Sequence, residues 1–204
     1  LQTKQGDVKM TDNNSDGRHV CPVWIGYLLA CPLRRLLENP EKILSPYVKE
    51  GMKVLDFGCA MGFFSLPLAR MVGPIGRVVC VDLQEKMIKS LNRRASRAGL
   101  SSIIETRVCP EHSTGLDDIS GEIDFALLMA VVHEVPDSEV LFSGIHKSLK
   151  SGGSVLIAEP KSHVSRNKFR ESISIAQRSG FEVIGQPDIK GSLTVLLSKI
   201  PAKS

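Results

Sequence analysis

Five short apolar runs between Lys53 and Glu159 (KVLDF, RVVCVD, IIETRV, IDFALL and SVLIAE) are each the length of a buried strand. Segments of helical period stand between them: Phe63 to Val72, Gln84 to Ala98, and Pro136 to Leu149. Only the third interval, CPEHSTGLDD, lacks one. Strands alternating with helices of this length predict a parallel sheet covered on both faces. A further helix, Ser165 to Ser179, precedes two last strands, Phe181 to Ile184 and Leu193 to Ser198. The GQPDIKG between those two is too short for a helical crossover, so they must run antiparallel. The expected fold is a three-layer α/β/α, doubly wound, seven-stranded and mostly parallel sheet with an antiparallel C-terminal strand.

At 204 residues and 42% apolar the chain can bury one sizeable core. Its 26 basic and 22 acidic residues give +4 with no long basic run, which argues against a nucleic-acid-binding face. Lys89, Arg93, Arg94 and Arg97 cluster at helical spacing opposite a stripe of Met87, Ile88, Leu91, Ala95 and Ala98, and read as a solvated helix face. The five cysteines are dispersed, with no CxxC, so a reducing, cytoplasmic setting is expected, with Cys59 and Cys80 as buried packing residues. No run is long enough to span a membrane. The apolar stretch Val20 to Leu33 is broken by two prolines and follows the polar TDNNSDGR, unlike a secretory signal. Leu1 to Arg18 is expected to be a disordered tail, with Met10 a candidate start. Residues 19–50 are expected to form a helical cap, opening its last helix at Asn39-Pro40 and running to about Val48, and residues 51–204 the body of the domain.

In an open sheet of this kind ligands bind where the strand order reverses, at the carboxyl ends of the strands. VLDFGCAMGFFS, Val54 to Ser65, is the first such exit. A dinucleotide fingerprint counted from Gly58 would need glycines where Ala60 and Phe63 stand, and Gly62 comes one residue early. The turn also has no Lys, Arg, Ser or Thr of the phosphate-binding kind. Asp56 would repel a pyrophosphate but suits an ammonium group, and Asp82, about twenty residues past the turn, can accept from both ribose hydroxyls. A ribose and an ammonium without phosphate describe S-adenosylmethionine.

From about Val48 to Ser198 the chain resembles the small class I S-adenosylmethionine-dependent methyltransferases. LDFGCAMG is similar to their first motif, with Ala60 at the middle glycine, and VVCVD ends at their ribose-binding acid, here Asp82. IDFALLMAVVHEVPD resembles the fourth-strand motif, and LKSGGSVLIAE the turn before strand five. The resemblance implies a Rossmann-like methyltransferase fold and a cofactor site made of Asp56, Gly58, Cys59, Ala60, Gly62, Asp82, Leu83, Cys109, Pro110, Glu111, Met129 and Ala130. Gln84 falls beside the adenosine, and Cys109 or Glu111 stands where the family often has an Asp for the adenine.

His133 and Glu134 occupy the turn that faces substrate in the family, and His133 is a candidate base, substrate contact or turn ligand. Glu159 either caps the sheet edge or lines the substrate cavity. Cys21, Trp24 and Tyr27 mark a lid, either over the cofactor or simply packed on the sheet, and His19 is a further catalytic candidate. His19, Cys21, Cys31, His133 and His163 would favour a soft acceptor such as a thiol, or a bound metal or metalloid, if they converge, but no pair has strong metal-ligand spacing and no metal site is expected. The expected substrate is a small molecule rather than a nucleic acid or membrane. Binding of the cofactor without turnover, and methylation of a protein or RNA, remain the alternatives.

Overall fold

The computed structural model describes residues 38–201, so the expectations for His19, Cys21, Trp24, Tyr27, Cys31 and the tail lie outside the described residues. Within them the chain forms β1 (Lys53–Phe57), β2 (Arg77–Asp82), β3 (Ile104–Val108), β4 (Ile123–Met129), β5 (Leu149–Pro160), β6 (Phe181–Gly185) and β7 (Ser192–Lys199). The helices are α1 (Pro40–Leu44), α2 (Ser65–Val72), α3 (Glu85–Arg97), α4 (Ser138–Ser148) and α5 (Arg166–Arg178). The strands lie side by side in the order β3-β2-β1-β4-β5-β7-β6, and only β7 opposes the rest. That is the expected architecture. The order reverses between β1 and β4, which places the ligand crevice at their carboxyl ends.

Period-two alternation divides the core between the two faces of the sheet. Leu55, Val79, Val81, Ala126, Leu128 and Ile157 pack toward Leu141, Phe142 and Ile145 of α4 and Phe169 and Ala176 of α5. Val54, Val78, Cys80, Phe125, Leu127 and Leu156 pack toward Leu68, Ala69 and Val72 of α2 and Ile88, Leu91 and Ala95 of α3. Tyr47, just after α1, stacks on Phe125 with ring centroids 5.6 Å apart and fastens the N-terminal segment to the sheet.

Three local expectations need correction. The helix opened by Asn39 ends at Leu44 rather than Val48: Ser45 still has helical φ and ψ, but Pro46 has no N–H to donate to the Lys42 carbonyl. Gly152-Gly153 lie inside β5 rather than before it, where the pairing with β4 jumps from Ile123↔Leu149 to Phe125↔Ser154. Ala98 is the exposed C-cap of α3 and leaves the apolar stripe, whose remaining members are buried.

Candidate active site

The turn after β1 is held by main-chain bonds from Gly58 and Cys59 to the Val81 carbonyl, at 2.8 and 3.0 Å. Gly58, Ala60 and Gly62 all have positive φ, at 77°, 46° and 81°. The two glycines are needed for contacts within the protein. A Cβ on Gly58 would lie 2.5 Å from Val131 Cγ2, and one on Gly62 2.3 Å from Leu91 Cδ1. Ala60 holds a left-handed conformation that disfavours a side chain, while its N–H donates to Asp82 Oδ2 at 2.8 Å. Arg94 leaves the solvated face assigned to it and donates to the Met61 carbonyl, bracing the turn from α3. Lys89, Arg93 and Arg97 stay exposed as expected.

Asp56 and Asp82 stand at the ends of β1 and β2, yet they are different acids. Asp56 is 2% exposed and accepts a 2.6 Å bond from Ser65 Oγ at the start of α2. Burial pushes its carboxyl up to about 7, against the Ser65 bond and with a small addition from the Asp82 charge. Asp82 is less enclosed; burial raises it while the bonds from Gln84 and Ala60 pull it down. Gln84 N–H donates to its Oδ1 at 2.8 Å, so each oxygen serves one main-chain N–H. A carboxylate has about four acceptor positions, so roughly one remains on each oxygen. Two free acceptors on one carboxylate match the vicinal hydroxyls of a ribose. The structure therefore fits the adenosyl cofactor at Asp82, and it makes Asp56 a holder of the turn as much as a ligand contact.

Across the crevice, β4 ends in Met129 and then Ala130, the second non-glycine residue at positive φ (56°), whose N–H donates to Ala158 O at 2.8 Å. The chain then forms a single 3-10 turn, Val132–Glu134. Glu159, 1% exposed at the end of β5, closes that turn. Its Oε1 accepts from Val131 N–H at 3.1 Å and Val132 N–H at 2.9 Å, and its Oε2 is hydrogen-bonded to His133 Nδ1. This bond raises the His133 imidazole above its ordinary 6.5 against the effect of burial, and the charges of Glu159 and Glu134 add to the rise. Glu134 is itself raised by burial, an effect that the positive charge of His133 opposes. His163, in the turn after β5, places its ring 6.0 Å from that of His133.

These parts surround one cleft of about 1210 Å³. Asp56, Gly58, Cys59, Ala60, Asp82, Leu83, Cys109, Pro110, Glu111, Met129, Ala130, His133 and Glu134 all line it, as does Gln84. Gly62 does not: it serves the packing of the turn against Leu91. Cys59, Cys80 and Cys109 are buried, and burial raises the Cys59 and Cys109 thiols, which disfavours the thiolate at those two. No group of three or more His, Cys, Asp or Glu among the described residues is arranged to hold a metal ion.

Ser65, the joint roles of Glu159, and the far wall of the cleft were missed by sequence reasoning. That wall includes Lys168, Ser172 and Ile175 of α5 and Val135 and Val140 around the start of α4. The period of α5 makes such a stripe visible in the sequence, but nothing in the sequence says what it faces.

A family model described as a methyltransferase domain matches residues 48–187. A ubiquinone biosynthesis O-methyltransferase of Rhizobium johnstonii is 34% identical over 137 residues, covering 67% of this chain and 51% of that protein. The chain thus spans about half the length of this curated relative. A 23S rRNA (uracil(1939)-C(5))-methyltransferase of Acinetobacter baumannii is 45% identical over 53 residues, 26% of this chain and 12% of that one. Among solved structures, a SAM-dependent methyltransferase of Aquifex aeolicus superposes with a TM-score of 0.78 over 88% of this chain and 99% of its own, at 24% identity.

Proposed function

The chain belongs to the class I S-adenosylmethionine-dependent methyltransferases, and from that membership we propose that it methylates a hydroxyl of a small, apolar-bodied acceptor. The observation that carries this reading is the His133–Glu159 pair beside the segment that would line the cofactor. A thiolate acceptor needs little more than alignment, whereas a hydroxyl must lose a proton as its oxygen is methylated. A half-buried imidazole backed by a carboxylate is suited to receive that proton.

Asp82, with Leu83 and Gln84, would hold the adenosine, and the Gly58–Ala60 turn with Asp56 the methionine part. When bound, S-adenosylmethionine supplies a methyl group on a sulfonium, whose sulfur keeps the bonding pair as the methyl leaves. The chain's own contribution is to align the acceptor, exclude water and take the proton from the acceptor oxygen on His133 Nε2. Val135, Val140, Val164 and Ile175 give that end of the cleft an apolar wall. Lys168 is the one Lys or Arg among the described residues lining the cleft, against Asp56, Asp82, Glu111, Glu134, Asp137, Glu159 and Glu171. Such a lining disfavours a phosphate backbone. The name of the Rhizobium johnstonii relative, an O-methyltransferase, supports the same acceptor atom.

Incubation with methyl-labelled S-adenosylmethionine and panels of phenols, alkyl thiols and total RNA tests the reading. Label is expected in aryl ethers; label in thiols or RNA and not in phenols overturns it. His133→Gln should lower kcat by roughly 10²–10⁴-fold, the usual worth of a general base, and leave S-adenosylmethionine binding intact. Turnover in the parent should rise with pH through a pKa above 6.5, because only the neutral ring accepts a proton.

A further inference from the structure

We propose that Glu159 is the positioning residue of this site: it fixes His133 in the Nδ1–H tautomer, so that Nε2 is the bare nitrogen offered to the cleft. The inference rests on the reading of His133 as the proton acceptor and extends it to a residue on another strand. Glu159 Oε1 is occupied by two main-chain N–H groups, Val131 and Val132. Only Oε2 is left for His133, and a carboxylate oxygen accepts, so Nδ1 is the donor. Which nitrogen of a histidine carries the proton is set by the bond the other one makes.

The same carboxylate fixes position as well as tautomer. Val131, Val132 and His133 hang from Glu159, while Ala130 hangs from Ala158, the preceding residue of β5. One strand end therefore sets the place of the base and of the residue beside the cofactor together. Glu134 on the same turn, Asp137 just after it, Asp82 across the crevice, His163 after β5, and Lys168 and Glu171 of α5 are among the other ionisable groups that line the cleft.

Glu159→Gln separates these roles. The two main-chain donors require the amide oxygen on their side, which turns the amide NH₂ toward His133. Nδ1 must then accept, the proton moves to Nε2, and the nitrogen facing the cleft loses its lone pair. The turn keeps its bonds, so cofactor binding is expected to survive.

The test is nitrogen NMR of the full chain labelled in its histidines, with the demethylated cofactor bound and at a pH above the ring's pKa. His133→Gln identifies the signals. The parent should show a protonated Nδ1 and a bare Nε2, and Glu159→Gln the reverse, with affinity for S-adenosylmethionine by calorimetry unchanged. A parent ring protonated at Nε2, or a tautomer unmoved by Glu159→Gln, overturns the proposal. If Glu159→Gln does not fold, the parent spectrum decides alone. Methylation of a phenol identified in the acceptor panel supplies the second readout: Glu159→Gln should lower kcat roughly 10²–10⁴-fold, as far as loss of the base itself, with KM for the cofactor held. Full activity in Glu159→Gln beside an inactive His133→Gln overturns the role of Glu159 and leaves the base standing. Full activity in His133→Gln instead removes the base, while the spectra still judge the tautomer.

Discussion

Asp56 shows how far a residue's surroundings can change its chemistry. As a letter in LDFG it reads as a negative charge beside the ligand, but in the fold it is sealed beneath the turn with Ser65. Its carboxyl lies near 3.8 when free and about 7 in the fold, so folding favours the protonated form. Its contribution to stability is complete below pH 3.8 and is lost as the pH climbs through 7. Asp56→Asn, which cannot ionise, should escape that loss, gaining on the parent by up to about 4 kcal/mol between those limits; urea unfolding at a series of pH values measures it. A gap that stays constant with pH would show that the Asp56 carboxyl titrates alike in the folded and unfolded chain. Ala60 gives a second expectation at this scale. A left-handed alanine costs about 1–2 kcal/mol, part of which glycine returns in unfolded-state entropy. Ala60→Gly should therefore stabilise the protein by up to about 1 kcal/mol in thermal unfolding. The motif was legible in both cases because it is local. The burial of Asp56 and the φ of Ala60 were not, since they depend on what packs around the turn.

Between elements, the decisive contacts are short distances that chain spacing does not encode. Gly58 is the clearest. Val131, after β4, occupies the space where its side chain would be, and a β-branched residue held on Glu159 has little room to swing aside. Gly58→Ala should cost about 2–3 kcal/mol from crowding and the left-handed backbone together. It should also weaken cofactor binding, which calorimetry would detect; an unchanged melting temperature would mean that the turn can shift freely. Glu159 belongs to this scale too. SVLIAE announces a buried strand, and the acid at its end is conspicuous, but His133 is far from it in sequence. Only the β4–β5 register, with Met129 opposite Ala158, brings the two together. Arg94 erred in the opposite direction: periodicity put it on the outer face of α3, and a long side chain reached back to Met61.

For the whole molecule, alternating strands and helices settled the layers, and the order reversal between β1 and β4 settled where the cleft would open. The chain carries a formal charge of +4, yet the described lining of its cleft is mainly acidic. Average charge was therefore a poor guide to the ligand, and the positions of individual carboxylates a better one. No helix among the described residues is long and apolar enough to cross a membrane. The matched methyltransferase domain, residues 48–187, takes in both sides of the cleft, including the wall built by α4, α5 and the turn after β5.

The reversed strand β7 bears on the setting of His133 itself. Leu193 is the partner of Glu159 across the β5–β7 ladder, and β6 is tied to the sheet through β7 alone. If that hairpin peels away, the end of β5 is left with one neighbour and Glu159 loses its footing. The amide protons of Val131, Val132 and Leu193 should then trade with deuterium in one cooperative opening, at a common free energy set by the hairpin. Widely different exchange rates at the three would show that the turn bearing His133 stands without it.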